Sequence, residues 1–257
     1  MELHVHEWGD PAGEPLVCLH GVTGYAGIWE RFAAGPWSAR RVLAFELRGH
    51  GASGWEPPWT FATHVADLVE TAAALGLGAT DWVGHSFGSR LVLELAAARP
   101  ELVRRAALLD PAIQVRTHVA ADLAELERRE PVFATREAYV ENRLLLYPDS
   151  PLGPIEHEAE AHLEQLRDGS FRRRTCQPAV IAIYGELASP PPPPETLRAP
   201  ALLVYAPAYG LVQERQLEAY RAALGERLRV VEVPGLHMVQ WDAFDAVADA
   251  VSGFLPS

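Results

Sequence analysis

The chain has 257 residues and 28.1 kDa, is 49% hydrophobic, and carries 34 acidic against 22 basic side chains for a net charge of −12. That balance excludes nucleic acid or an anionic membrane as the main partner, and because all 22 basic residues are arginine, Schiff-base, phosphate-loop and pyridoxal-phosphate chemistries lack the amine they need. By surface scaling, about 41,000 Å² of unfolded chain collapses to roughly 11,000 Å², enough burial for one large core with an insert.

In chain order, Glu2 to Trp8 alternates as an edge strand and is followed by the turn Gly9 to Gly13 and a strand at Leu16 to Leu19. Further strands are predicted at Val42 to Leu47, Trp82 to Val83, Ala106 to Leu109, Ala201 to Tyr205 and Leu228 to Val233. Helices are predicted between them at Phe61 to Leu75, Ser86 to Arg99, Gln213 to Leu224 and Trp241 to Phe254. This alternation predicts an α/β fold, a parallel sheet covered by helices. Residues 112–196 break the rhythm, with helices at Val119 to Arg129, Arg136 to Tyr147, Glu156 to Arg167 and Pro178 to Leu187 and no strand. They read as a helical insert on a core of residues 1–111 and 197–257, closed by a stiff polyproline connector, Pro190 to Pro194. Cys18 and Cys176 form no paired motif and read as ordinary thiols, and the N-terminus has no basic-then-apolar leader, so the expected location is cytoplasmic.

The strongest chemical signal is Gly84-His85-Ser86-Phe87-Gly88, a serine on a tight strand-to-helix turn. Such a turn lifts the hydroxyl out, and it leaves the Phe87 N–H at a helix N-terminus where it can stabilise an oxyanion. A hydroxyl of ordinary pKa needs a base, and His237 in Pro234-Gly235-Leu236-His237 follows the last strand, at the same sheet edge. His20-Gly21-Val22 follows the strand Leu16 to Leu19, so the Val22 N–H can supply a second oxyanion donor while His20 braces the loop.

His20-Gly21 with Gly24 and Trp29, Arg48-Gly49-His50-Gly51-Ala52-Ser53, the Ser86 pentapeptide and Pro234 to His237 together resemble the α/β-hydrolase superfamily, its esterase- and lipase-like serine hydrolases in particular. The resemblance implies an eight-stranded, mostly parallel sheet with helices on both faces, a helical cap at 112–196, a serine nucleophile, a histidine base and no cofactor. The chain departs from the family pattern at the acid, because Tyr209 stands where aspartate is usual, and a neutral tyrosine cannot compensate an imidazolium. Asp110, ending Ala106 to Asp110, keeps the order Ser86, Asp110, His237 and is the candidate acid. Glu214, or a site with no acid, is the alternative, and Asp110 can also be read as a turn or cap residue before Pro111.

Two motifs are decoys. Gly49 to Gly54 fits G-x-G-x-x-G, but Trp55-Glu56-Pro57-Pro58 follows where a helix must open. His157 and His162 are five residues apart, which turns them off a common helix face, so no metal site is expected. Arg172 to Arg174 reads as a salt-bridged or solvated run.

The expected function is cleavage of a small to medium carboxylic ester, lactone or thioester through an acyl-enzyme on Ser86, with His237 as base, Asp110 as acid, and Val22 and Phe87 as oxyanion donors. Leu144 to Tyr147, Ile181, Ile183 and Tyr184 are candidates for its pocket. The alternatives are C–C bond hydrolysis, haloperoxidase-type perhydrolysis, or an accessory protein without turnover on the same scaffold. The partner is a small ester-like molecule, with neither nucleic acid nor membrane; the sequence does not fix the oligomeric state.

Overall fold

The computed structural model describes residues 1–129 and 132–255; the last two residues of the expected core, 256 and 257, lie outside the described residues. The strands are β1 Val5–Gly9, β2 Pro15–Leu19, β3 Arg41–Phe45, β4 Thr80–His85, β5 Val103–Leu109, β6 Leu163–Gln165, β7 Phe171–Arg173, β8 Ala201–Tyr205 and β9 Leu228–Glu232. All but β6 and β7 join one sheet in the order β1-β3-β2-β4-β5-β8-β9. β1 runs antiparallel to β3 and every other pair in that sheet is parallel. The α/β class stands, with seven strands in the main sheet among the described residues where the resemblance implied eight. The residues before β1 are held against a helix instead: the Met1 ammonium pairs with Asp67 at 2.8 Å and Glu70 at 2.7 Å, and Leu3 N–H donates to Thr71 Oγ1 at 2.9 Å.

The helices are α1 Glu30–Ala34, α2 Phe61–Ala74, α3 Phe87–Ala98, α4 Thr117–Arg128, α5 Arg136–Leu146, α6 Leu152–Ala161, α7 Gln177–Leu187, α8 Glu214–Leu224, α9 Val239–Asp242 and α10 Phe244–Ser252. The central strands are apolar at successive positions because both faces are covered. Val17, Leu19, Leu43, Phe45 and Leu203 pack with Leu68 of α2, Leu91 of α3 and Leu217 of α8. Leu16, Cys18, Val42, Ala44 and Leu202 pack with Phe32 of α1 and Val247 of α10. A one-residue slip in any strand would exchange these two sets, so the register is strongly specified. The accessible surface, 10995 Å², is what the scaling predicts for this length. No described helix is long and apolar enough to cross a membrane.

The predicted single helix from Trp241 to Phe254 is two, breaking at Ala243 (φ −132°, ψ 43°). The segment between β5 and β8 carries α4 to α7, but it also holds a hairpin that the helical reading of Glu156 to Arg167 misses. α6 ends at Ala161, and β6 pairs antiparallel with β7 across Asp168-Gly169, where Gly169 adopts φ +89°. That Asp-Gly step is a hairpin signal in its own right. Arg90 of α3, fully buried, ties both ends of the segment down by donating to the carbonyls of Ile113 and, at 2.9 Å, Pro190. Pro193 keeps polyproline II angles (φ −55°, ψ 137°), whereas Pro194 opens a 3-10 turn through Thr196 and shortens the expected connector.

Candidate active site

β4 ends at His85, and Ser86 then takes φ +54°, a region that costs a non-glycine residue about 1–3 kcal/mol unless its surroundings impose it. They do. Ser86 N–H donates to Leu109 O at 3.0 Å, and Ser86 O accepts from Arg90 and Ala112 N–H at 3.2 Å each. Two glycines make the turn possible: a Cβ on Gly84 would lie 2.4 Å from backbone atoms of Gly88 and Ser89, and one on Gly88 would lie 2.3 Å from Leu19 O.

The loop after β9 brings His237 back over this turn. Gly235 adopts φ +98°, and the Asp242 carboxylate fixes the loop by accepting from Leu236 N–H at 2.7 Å. His237 Nε2 lies 2.9 Å from Ser86 Oγ, and His237 Nδ1 lies 2.6 Å from Asp110 Oδ2. Asp110 is fully buried at φ +38°, and its other oxygen accepts from Ala206 N–H at 3.2 Å. The arrangement fixes the tautomer: a carboxylate can only accept, so Nδ1 carries the proton and Nε2 faces the serine hydroxyl with its lone pair. Glu214 makes no hydrogen bond to this histidine among the described residues; it pairs with Arg221 at 3.2 Å on an exposed face of α8. Tyr209 stacks on the His237 ring, with centroids 4.8 Å apart and planes 14° apart, and does not bond to it edge-on.

Val22 lines the same cavity as Ser86, and Phe87 is the first residue of α3. Neither N–H has a hydrogen-bond partner among the described residues. The peptide that carries the Val22 N–H is held from its other side, because Gly21 O accepts from His20 Nδ1–H at 2.8 Å and from Gly24 N–H at 3.1 Å. His20 Nε2 in turn accepts from Leu47 N–H at 3.1 Å, which leaves His20 a bracing group. Two histidines escaped the sequence reading. His85 donates from Nε2 to His237 O at 2.9 Å, and His50 places Nε2 against Val22 O. Only the local motifs that contain them, beside Ser86 and after β3, pointed toward either.

The site opens into a cavity of about 390 Å³ between the strand ends and the β5–β8 segment. Of the expected pocket residues, Tyr147 and Tyr184 line it, whereas Leu145 and Leu146 are exposed and Ile183 is core. Arg143 of α5 and Glu158 of α6 also line it, and neither was singled out from the sequence. His157 bonds to Tyr25 Oη at 2.9 Å and His162 to Thr23 O at 3.1 Å, so the two histidines have separate partners. Arg172 and Arg173 pair with Glu164 and Glu127.

Burial gives this neighbourhood a pH signature. It pushes the His20 and His64 imidazoles down to about 3, and both ring nitrogens of His64 lack a partner among the described residues. Burial alone would raise Glu46, but the hydrogen bond from His6 and the nearby His20 and His162 rings hold it at about 2. A lowered imidazole contributes stability above pH 6.5 that is lost as pH falls toward 3, and the lowered carboxylate adds the same sign below pH 4.5. His6, raised by Glu46, works the other way and is half-exposed. Burial lowers His50, His85 and His162 as well, so urea denaturation should show stability falling below pH 6, with His20 and His64 each contributing up to about 1.4 kcal/mol per pH unit of the slope. His64→Phe should lower the slope by up to about 1.4 kcal/mol per pH unit, and an unchanged slope in the variant would refute the assignment.

A family profile described as alpha/beta hydrolase fold matches residues 14–244, most of the chain. The chain belongs to the α/β-hydrolase family. Lipase LipV of Mycobacterium tuberculosis is 33% identical over 248 residues, covering 93% of this chain and 92% of that protein. The 2-(acetamidomethylene)succinate hydrolase of Mesorhizobium japonicum is 29% identical, covering 99% and 92%. A crystal structure of E-2-(acetamidomethylene)succinate hydrolase superposes with a TM-score of 0.88 at 24% identity, covering 98% of this α/β-hydrolase and 94% of that chain, a likeness of fold.

Proposed function

We propose that this α/β-hydrolase is a serine hydrolase that cleaves a small to medium carboxylic ester, lactone or thioester through an acyl-enzyme on Ser86. The observation that carries the reading is the unbroken chain from Ser86 Oγ through His237 to the buried Asp110, at 2.9 and 2.6 Å, on the wall of a cavity. Ser86 Oγ attacks the carbonyl as Nε2 takes its proton, Asp110 compensates the imidazolium, and the N–H groups of Val22 and Phe87 bind the oxyanion. The imidazolium returns the proton to the leaving alcohol or thiol, and a water activated by the same Nε2 releases the acid. The segment 112–196 acts as a cap that keeps bulk water from the acyl-enzyme. The lipase name carried by one full-length relative favours this ester reading. A second reading, hydrolysis of a bond other than an ester by the same serine, draws on the relative named for a substituted succinate. The accessory-protein reading draws on the absent acid at position 209, and the 2.6 Å contact between Asp110 Oδ2 and His237 Nδ1 supports the catalytic reading over it.

Intact mass after treatment with a serine-directed fluorophosphonate tests the proposal without knowledge of the substrate. One rapid adduct is expected on the wild type and none on Ser86→Ala or His237→Ala. Failure of folded wild type to label would overturn it. A panel of matched esters and amides then separates the two readings.

A further inference from the structure

We propose that the cavity selects acyl substrates that carry a second, remote carboxylate, and that Arg143 receives it; the inference rests on the serine-hydrolase reading. Arg143 has only 11% of its side chain exposed, and its guanidinium lies over the rings of Tyr147, at 4.7 Å, and Trp241, at 5.5 Å. Its Nε donates to Glu158 Oε2 at 2.9 Å. Its two Nη groups have no hydrogen-bond partner among the described residues, although Arg143 lines the cavity that holds Ser86 and His237.

Such a buried cation is costly unless its donors are satisfied. Two fully or nearly buried arginines, Arg90 and Arg48, satisfy theirs. Arg90 commits Nε, Nη1 and Nη2 to Glu94, Ile113 O and Pro190 O, and Arg48 commits all three nitrogens to Asp67 and Glu56 O. At Arg143 the Tyr147 and Trp241 rings and the Glu158 bond hold the guanidinium while its two Nη groups stay free, the pair of donors that can meet a carboxylate with two hydrogen bonds.

Charge points the same way. The ionised side chains lining the cavity are Arg116, Arg143 and Glu158, a net of +1 (two basic less one acidic) in a chain of net −12. Arg116, at the start of α4, is exposed and has no ion-pair partner among the described residues, so it adds attraction at the margin. One net positive charge suits a carboxylate better than a phosphate dianion, and about 390 Å³ suits a short chain between the two carbonyl ends.

The test compares two aryl esters of equal length, one ending in a free carboxylate (a glutarate monoester) and one in its methyl ester. The wild type is expected to favour the carboxylate ester at least about tenfold in kcat/KM, mostly through KM, as a charge-assisted hydrogen bond would give. In Arg143→Met with Glu158→Gln, which leaves no uncompensated carboxylate, that ratio should fall to about one. Arg116→Gln, at an exposed position, should raise KM for the carboxylate ester and weaken its salt dependence. Independently of turnover, free glutarate should slow fluorophosphonate labelling of Ser86 in the wild type. Equal turnover of the two esters together with no protection by glutarate would overturn the inference while labelling upheld the parent reading. No labelling at all would overturn the parent reading and this one with it.

Discussion

Asp110→Asn is expected to lower kcat by on the order of 10⁴ while leaving the fold intact, the loss seen where a triad acid becomes an amide. The amide cannot compensate the imidazolium, and an NH₂ turned toward Nδ1 would stabilise the tautomer whose Nε2 carries the proton and cannot act as a base. Nothing nearby replaces the carboxylate: Tyr209 lies flat on the imidazole and Glu214 is paired on an exposed helix face. The fold should tolerate the change because asparagine accepts the φ of +38° at this position and its Oδ1 can still take the Ala206 N–H. Stability is expected within about 1 kcal/mol of wild type. Glu214→Gln is the matched control and should leave kcat unchanged. Steady-state kinetics on any turned-over ester, with urea denaturation alongside, decides the matter, and near-wild-type kcat in Asp110→Asn would remove that residue from the reaction.

Much of this site was legible because its chemistry is local. Ser86 sits in a pentapeptide whose glycines are demanded by backbone atoms within that turn and the adjacent strand, so the pattern carries its own structural reason. Asp110 was harder, since its role depends on a 2.6 Å contact with a residue 127 positions away, and only the strand ending before it narrowed the choice. The helical expectation for Glu156 to Arg167 fails beyond Ala161, because the Asp168-Gly169 turn folds the chain back and the β6–β7 ladder takes up the backbone groups that a longer helix would have used. Arg143 could not be found in advance. Its importance lies in what it does not touch, and that depends on how α5, α6 and Trp241 pack.

Gly88→Ala is expected to destabilise the protein by about 4 kcal/mol or more and to abolish activity in whatever fraction folds. Helix propensity argues the opposite sign, since alanine inside α3 should gain about 1 kcal/mol over glycine. Sterics decides, because the new Cβ would sit 2.3 Å from Leu19 O and 2.7 Å from His20 O, and both are backbone atoms at the end of β2 that no side-chain rotation can move aside. Relief requires either α3 to lift from the sheet, which opens the core under Leu91, or the end of β2 to shift. The second route carries His20 and Gly21 with it, and with them the peptide that presents the Val22 N–H. Gly185 in α7 supplies the control: among the described residues nothing beyond its chain neighbours and its own helix backbone lies within 4 Å of its added Cβ, so Gly185→Ala should follow propensity alone and stabilise by about 0.5–1 kcal/mol. Paired urea titrations of the two variants should therefore shift in opposite directions. A stable, active Gly88→Ala would show that the serine turn does not need the close approach of helix and strand on which the proposed oxyanion geometry depends.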